Sequence, residues 1–155
     1  MARRCWLMKT EPGTFSIDDL ARRPGRRAFW DGVRNYQARN LLRDEVRVGD
    51  GVLVYHSGIP SPAVAGTATV VGAAAPDPTQ FDRKSPYHDP GADPAAPRWY
   101  GVEIELEQIF RRAVTLDTLR ATPGLEAMVT LRRGNRLSVT PVRPEEWSII
   151  VACGA

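Results

Sequence analysis

A chain of 155 residues is the size of one ordinary domain, long enough for one core to hold it without disulfides or metal. Hydrophobic residues at 43% and charged residues at 25% exclude a disordered tail, and no apolar run approaches the ~18 residues of a membrane span. The net charge of +3 and the isoelectric point near 9.2 imply a mild attraction to polyanions, not the excess of a histone-like protein. All of the 21 basic residues except Lys9 and Lys84 are arginine; with abundant alanine and proline this fits coding bias, while the arginine fork also suits phosphate. Cys5 and Cys153 have no neighbouring CxxC or Cys/His cluster, so free thiols in a reducing cytoplasm are expected, and no metal. The apolar stretch near the start stops at Lys9 and Glu11, too short for a signal peptide. The expectation is a bacterial cytoplasmic protein, monomeric, without a membrane partner or a cofactor.

In chain order, residues 5–8 (Cys, Trp, Leu, Met) read as a short buried strand. Ser16 followed by Asp19 is a capping pattern that starts a helix, which Pro24-Gly25 ends. Residues 28–30 are extended and run into the Asp31-Gly32 turn. Asn35 caps a helix reaching about Glu45, with Leu41 and Leu42 inward and Arg39 and Arg43 outward. Residues 52–56 and 64–71 are β-branched runs that form a hairpin. Residues 76–97, rich in Pro, Asp and Gly, are a long loop of the kind that carries function. Residues 102–106 alternate as a strand, within a stretch 99–108 that joins the sheet. Residues 116–119 and 125–131 predict two short helices, and 137–142 a strand. Pro144 opens a closing helix with Trp147, Ile150 and Val151 on one face and Gly154 after it. Strands interleaved with short helices predict one α+β domain over residues 1–155, built on a curved, mostly antiparallel sheet.

No catalytic set stands out. His56-Ser57 and His88-Asp89 are sequence neighbours, and neighbours on a strand face opposite ways. No GxSxG elbow, P-loop or GxGxxG is present. Asp18/Asp19 and Glu145/Glu146 fall at helix starts, where the helix dipole accounts for them. The aromatics say more. Trp147 belongs to an apolar helix face, and core packing suits Trp6 as well as ligand contact does. Trp30 stands instead among Asp31, Gly32, Arg34, Asn35 and Gln37. A nucleic-acid base needs a flat face to stack on and amides to read its edge, and Asn35 and Gln37 are the residue types that do so. Arg34 or Arg39 would hold the adjoining phosphate.

These residues carry a resemblance. The stretches Trp6-Leu-Met-Lys-Thr-Glu-Pro12, Phe15-Ser-Ile-Asp-Asp-Leu20, Trp30-Asp-Gly-Val-Arg-Asn-Tyr-Gln-Ala-Arg-Asn40, Val54-Tyr-His-Ser57, Pro97-Arg-Trp99 and Arg136-Leu-Ser-Val-Thr-Pro-Val142 run in order through the chain. Together they resemble the EVE domain family; the stretch from Trp30 to Asn40 is the most specific. The resemblance implies a PUA-like β-barrel with short flanking helices, related to the YTH domains that read methylated adenine in RNA. It implies Trp30 as a wall of a base pocket, with Lys9, Thr10, Asn35, Gln37, His56, Ser57, Arg98, Trp99 and Ser138 around it. Thr10 stands where serine is usual and His88 where tyrosine is common. The functional reading is a non-catalytic module for a modified base of the 5-methylcytosine type. The alternatives are an RNA-binding module, and an enzyme or binder acting on a small nucleotide-like ligand.

Overall fold

The computed structural model describes residues 3–155. Seven strands, β1 (Cys5–Thr10), β2 (Arg27–Trp30), β3 (Gly51–His56), β4 (Ala63–Val70), β5 (Ala75–Pro76), β6 (Tyr100–Thr115) and β7 (Val139–Val142), are joined by four helices. These are α1 (Ile17–Arg22), α2 (Tyr36–Asp44), α3 (Leu116–Ala121) and α4 (Pro144–Gly154). The sheet order is β2-β6-β4-β3-β1-β7, with β5 paired to β6. Every pairing is antiparallel except β1 with β3, whose parallel register is reached through the α1–β2–α2 crossover. The α+β, mostly antiparallel class expected from the sequence is the one adopted.

Both faces of the central strands are buried, which is why β1 and β3 read as unbroken apolar runs. On β1, Trp6 and Met8 join Val52 and Val54 of β3 in one cluster, closed by Ile17 and Leu20 of α1 and Ala38 and Leu42 of α2. Cys5 and Leu7 point the other way with Leu53, Tyr55 and Phe110, under Leu119 of α3 and Ile150 of α4. The local signals formed as written. Ser16 and Asp19 make a reciprocal capping box on α1, and the Asn35 side chain accepts from the Ala38 N–H at the start of α2.

Several boundaries differ from the sequence reading: the first strand runs on to Thr10 and α3 to Ala121, and four further differences bear on the fold. The strand expected over 102–106 is the 16-residue β6, long enough to pair with β2, β4 and β5 in turn. Register shifts at Val64/Gly66 and Thr67/Ala68 let it bend, and Gly66 is required there because a Cβ would strike the Gln108 carbonyl. The helix expected over 125–131 is reduced to a 3-10 turn, Val129–Leu131, since Leu125 and Met128 are drawn individually into the second cluster. The strand expected from 137 begins at Val139. Gly154 lies inside α4, packed so tightly on the Phe110 ring that no side chain fits. Among the described residues no helix is long and apolar enough to cross a membrane.

Candidate functional site

The ends of β1, β2 and β3, and the residue before β7, converge on a cavity of about 800 Å³. Two backbone bonds hold its strand side together: Lys9 N–H donates to the Ser138 carbonyl (2.9 Å) and Ser57 N–H to the Thr10 carbonyl (2.9 Å). The Thr10 hydroxyl donates to the Phe15 carbonyl (2.8 Å), drawing the 11–15 turn over the cavity. Trp30, the last residue of β2, lines the cavity and packs edge-on against Phe15, with ring centroids 6.4 Å apart at 87°. Trp30 is 5% exposed and belongs to the first core cluster, so one part of the ring supports the fold and another borders the cavity. Its indole N–H donates to no described residue and is not among the sealed, unpaired polar atoms.

The opposite wall comes from the long loop, through Pro78, Thr79, Ser85, Pro86 and Tyr87. Arg34 clamps it. All five guanidinium N–H groups are spent: on the Val33 carbonyl, Asp77 (2.9 Å), Thr79 Oγ1 (2.9 Å) and, twice, the Tyr87 carbonyl. Asp77 is fully buried. Burial alone would push its pKa up, but the Thr79 hydroxyl, the Gly32 N–H and Arg34 together hold it below its ordinary 3.8. The Tyr87 ring then sits against Gly32, whose φ of +80° and missing Cβ are both needed, because a Cβ would lie 2.7 Å from Tyr87 Cζ.

Of the residues expected around a base, Trp30, Lys9, Thr10, Ser57 and Ser138 line this cavity. The others do not. Asn35 is spent as the cap of α2, and Gln37 is exposed on that helix. His56 Nε2 accepts from the Ile17 N–H (3.1 Å), which joins β3 to α1 and leaves the ring unavailable as a base for Ser57. Trp99 is stacked on Tyr36 at 4.8 Å, and its N–H donates to Asp89 (2.7 Å). Arg98 bonds Asp89 and the Gly91 carbonyl, bracing the same loop. Arg34, expected on a phosphate, has no donor left, and Arg39 donates to the Arg98 carbonyl (2.6 Å) and to Asn40.

Sequence reasoning passed over Asp31, Phe15, Tyr87, Arg23 and Arg136, all of which line the cavity. In the sequence Asp31 counts only as a polar neighbour of Trp30 and a turn residue, with no ligand role of its own. It is open to solvent at the mouth, yet the surrounding protein and the nearby Asp77 carboxylate raise its pKa from the ordinary 3.8. Lys9 also lines the cavity, and burial lowers its pKa from its ordinary 10.5. Neither side chain makes a hydrogen bond or salt bridge to another described residue; the Lys9 ammonium lies 5.8 Å from the centre of the Tyr55 ring. The cavity thus offers an aromatic surface, the Asp31 carboxylate, the Lys9 ammonium, further charge from Glu11, Arg23 and Arg136, and the hydroxyls of Ser57 and Ser138.

Fold and cavity together define a small mixed-sheet domain with an aromatic, polar-rimmed cavity at its strand ends. The comparisons agree with that class. The EVE domain family matches residues 4–153. Mouse thymocyte nuclear protein 1 is 37% identical over 163 residues, covering 95% of this chain and 72% of the mouse protein. A Pseudomonas putida crystal structure is 46% identical with a TM-score of 0.91, covering 97% of this chain and 99% of that one. The human THYN1 protein, crystallised in complex with DNA containing 5-methylcytosine, is 37% identical with a TM-score of 0.88 over 97% of each chain. The chain belongs to the EVE domain family.

Proposed function

We propose that this protein binds nucleic acid and takes a single base, 5-methylcytosine in DNA, into the Trp30 cavity without reacting with it. The observation that carries the reading is the cavity itself: Trp30 beside unspent groups of complementary kind, Asp31 and Lys9. A cytosine edge presents a donating amine and acceptors, and a carboxylate accepting from the amine is the usual pairing. In this reading Asp31 accepts from the amine, while Lys9 and the hydroxyls of Ser57 and Ser138 donate to the acceptors. The complex of human THYN1 with 5-methylcytosine DNA supports the choice of ligand. Binding without chemistry is supported by His56, whose Nε2 is already occupied by the Ile17 N–H and so does not serve as a base for Ser57.

The test is a titration panel of single-stranded RNA, single-stranded DNA and duplex DNA, each with and without 5-methylcytosine, followed by tryptophan fluorescence. Methylated DNA is expected to bind most tightly. Trp30→Ala would also empty part of the core, at about 3–5 kcal/mol. Trp30→Phe is therefore the useful variant: it keeps an aromatic body, removes the indole N–H, and is expected to melt near the parent while binding several-fold more weakly. Preference for RNA would move the ligand to RNA. Binding to nothing in the panel, or binding indifferent to Trp30→Phe and to Asp31→Asn, would refute the reading.

A further inference from the structure

A second concavity, of about 520 Å³, lies at the other end of β1 and β7, where Cys5 and Val142 replace Lys9 and Ser138 as lining residues. Four arginines line it, Arg3, Arg4, Arg132 and Arg143, with Glu146 as the one acid. Three of them have acidic neighbours. Arg3 lies 3.7 Å from Glu107, Arg4 3.1 Å from Glu45, and Arg143 3.3 Å from the buried Glu146. The first two pairs are exposed, and such pairs contribute little and exchange readily for a better anion. Arg132 pairs with no acid among the described residues.

The two cavities are connected by the sequence that separates them. Residues 129–143 contain four arginines and no aspartate or glutamate. Arg132 lines the second cavity, Arg136 the first, and Arg133 is exposed between them. The segment is held to the sheet's end strand, β7, by the Thr130–Thr140 hydroxyl pair (2.7 Å), and internally by Asn135 Nδ2 donating to the Val129 carbonyl (2.9 Å). These arginines thus ride on a braced scaffold. From Cys5 to Lys9 is four strand steps, about 13 Å.

We propose that the 132–136 segment and the arginine-lined cavity form a phosphate track. The strand whose base enters the Trp30 cavity continues along β7 and lays a phosphodiester among Arg3, Arg4, Arg132 and Arg143. The assignment rests on the base-binding reading above. It also moves the phosphate role from Arg34, whose donors are all committed within the fold, and from Arg39, which is tied to the Arg98 carbonyl and Asn40, to the arginines of the second cavity.

The experiment compares 5-methyldeoxycytidine, a dinucleotide and a single-stranded octanucleotide, the last two methylated at one terminal cytosine, in both polarities, over a salt series. For the octanucleotide, Arg132→Gln is expected to weaken binding several-fold and to reduce the slope of log K against log salt by about 0.7 per phosphate lost. The nucleoside and the dinucleotide are too short for the track and should be unaffected. Arg143→Gln should behave alike, with a thermal melt alongside because Glu146 loses its partner. Arg132→Gln has no such complication and decides the matter. An octanucleotide slope unchanged by Arg132→Gln overturns the track and leaves the base cavity standing. Arg132-dependent binding of inorganic phosphate with no gain from oligonucleotide length also overturns it, making the cavity a free-anion site. Failure of every nucleoside and oligonucleotide to bind sinks both readings.

Discussion

Asp31→Asn separates recognition from stability, because the two should move in opposite directions. In the free protein Asp31 carries its charge at a cost: burial and then the Asp77 carboxylate raise its pKa above the ordinary 3.8. A carboxyl whose folded pKa is raised binds more protons in the native state, so stability falls as pH rises from 3.8 through the folded value. Asparagine removes that penalty. Asp31→Asn should therefore melt at a higher temperature than the parent at pH about 7, and the gap should close in acid once Asp31 is protonated in both states. Binding should change the other way. Thymine and 5-methylcytosine share the methyl group and differ where one has a carbonyl oxygen and the other an amine. A carboxylate accepts from the amine and is repelled by the oxygen, a difference of about 1–3 kcal/mol, or about 5- to 150-fold. The methyl group itself contributes only about 0.8 kcal/mol, or about fourfold, so the amine and not the methyl should dominate discrimination. An asparagine amide can donate to the thymine oxygen, so the variant should lose most of its preference for 5-methyldeoxycytidine over thymidine. Calorimetric titration of the two nucleosides into parent and variant, with thermal melts over pH, reads both effects. Equal affinity of the parent for the two nucleosides, or an undiminished preference in Asp31→Asn, would refute the reasoning.

Arg34→Met should destabilise the fold by about 3–5 kcal/mol, since it abandons a buried carboxylate, and chemical denaturation measures it; a loss below about 1 kcal/mol would mean that Asp77 is satisfied without it. His56 gives a pH signature. Burial lowers its pKa from 6.5, and the neutral ring accepts from Ile17, so stability should fall as pH drops below 6.5 and level off once the folded value is passed. His56→Gln should melt with a flatter profile over that window, and an identical profile would assign the pH dependence to other groups.

The sequence by itself determined what depends on neighbours in the chain. The capping box at Ser16 and Asp19, the Asn35 cap and the two-sided apolar run of β1 are local chemistry, and each formed where the residues placed it. Trp30 stood out for the same reason: polar neighbours around a large ring are visible in one dimension. Tertiary structure alone decided what each polar side chain bonds. Arg34 has the residue type and setting of a phosphate ligand, yet five hydrogen bonds to four acceptors, from Val33, Asp77, Thr79 and Tyr87, exhaust it. His56 and Trp99 were likewise claimed by Ile17 and Asp89. The reverse holds for Tyr87, Arg136 and Ser138, which are far from Trp30 in sequence and reach its cavity only through the loop clamp and the β1–β7 pairing. A donor's chemistry is written in its residue type, but whether that donor is free for a ligand depends on long-range contacts that no local pattern encodes.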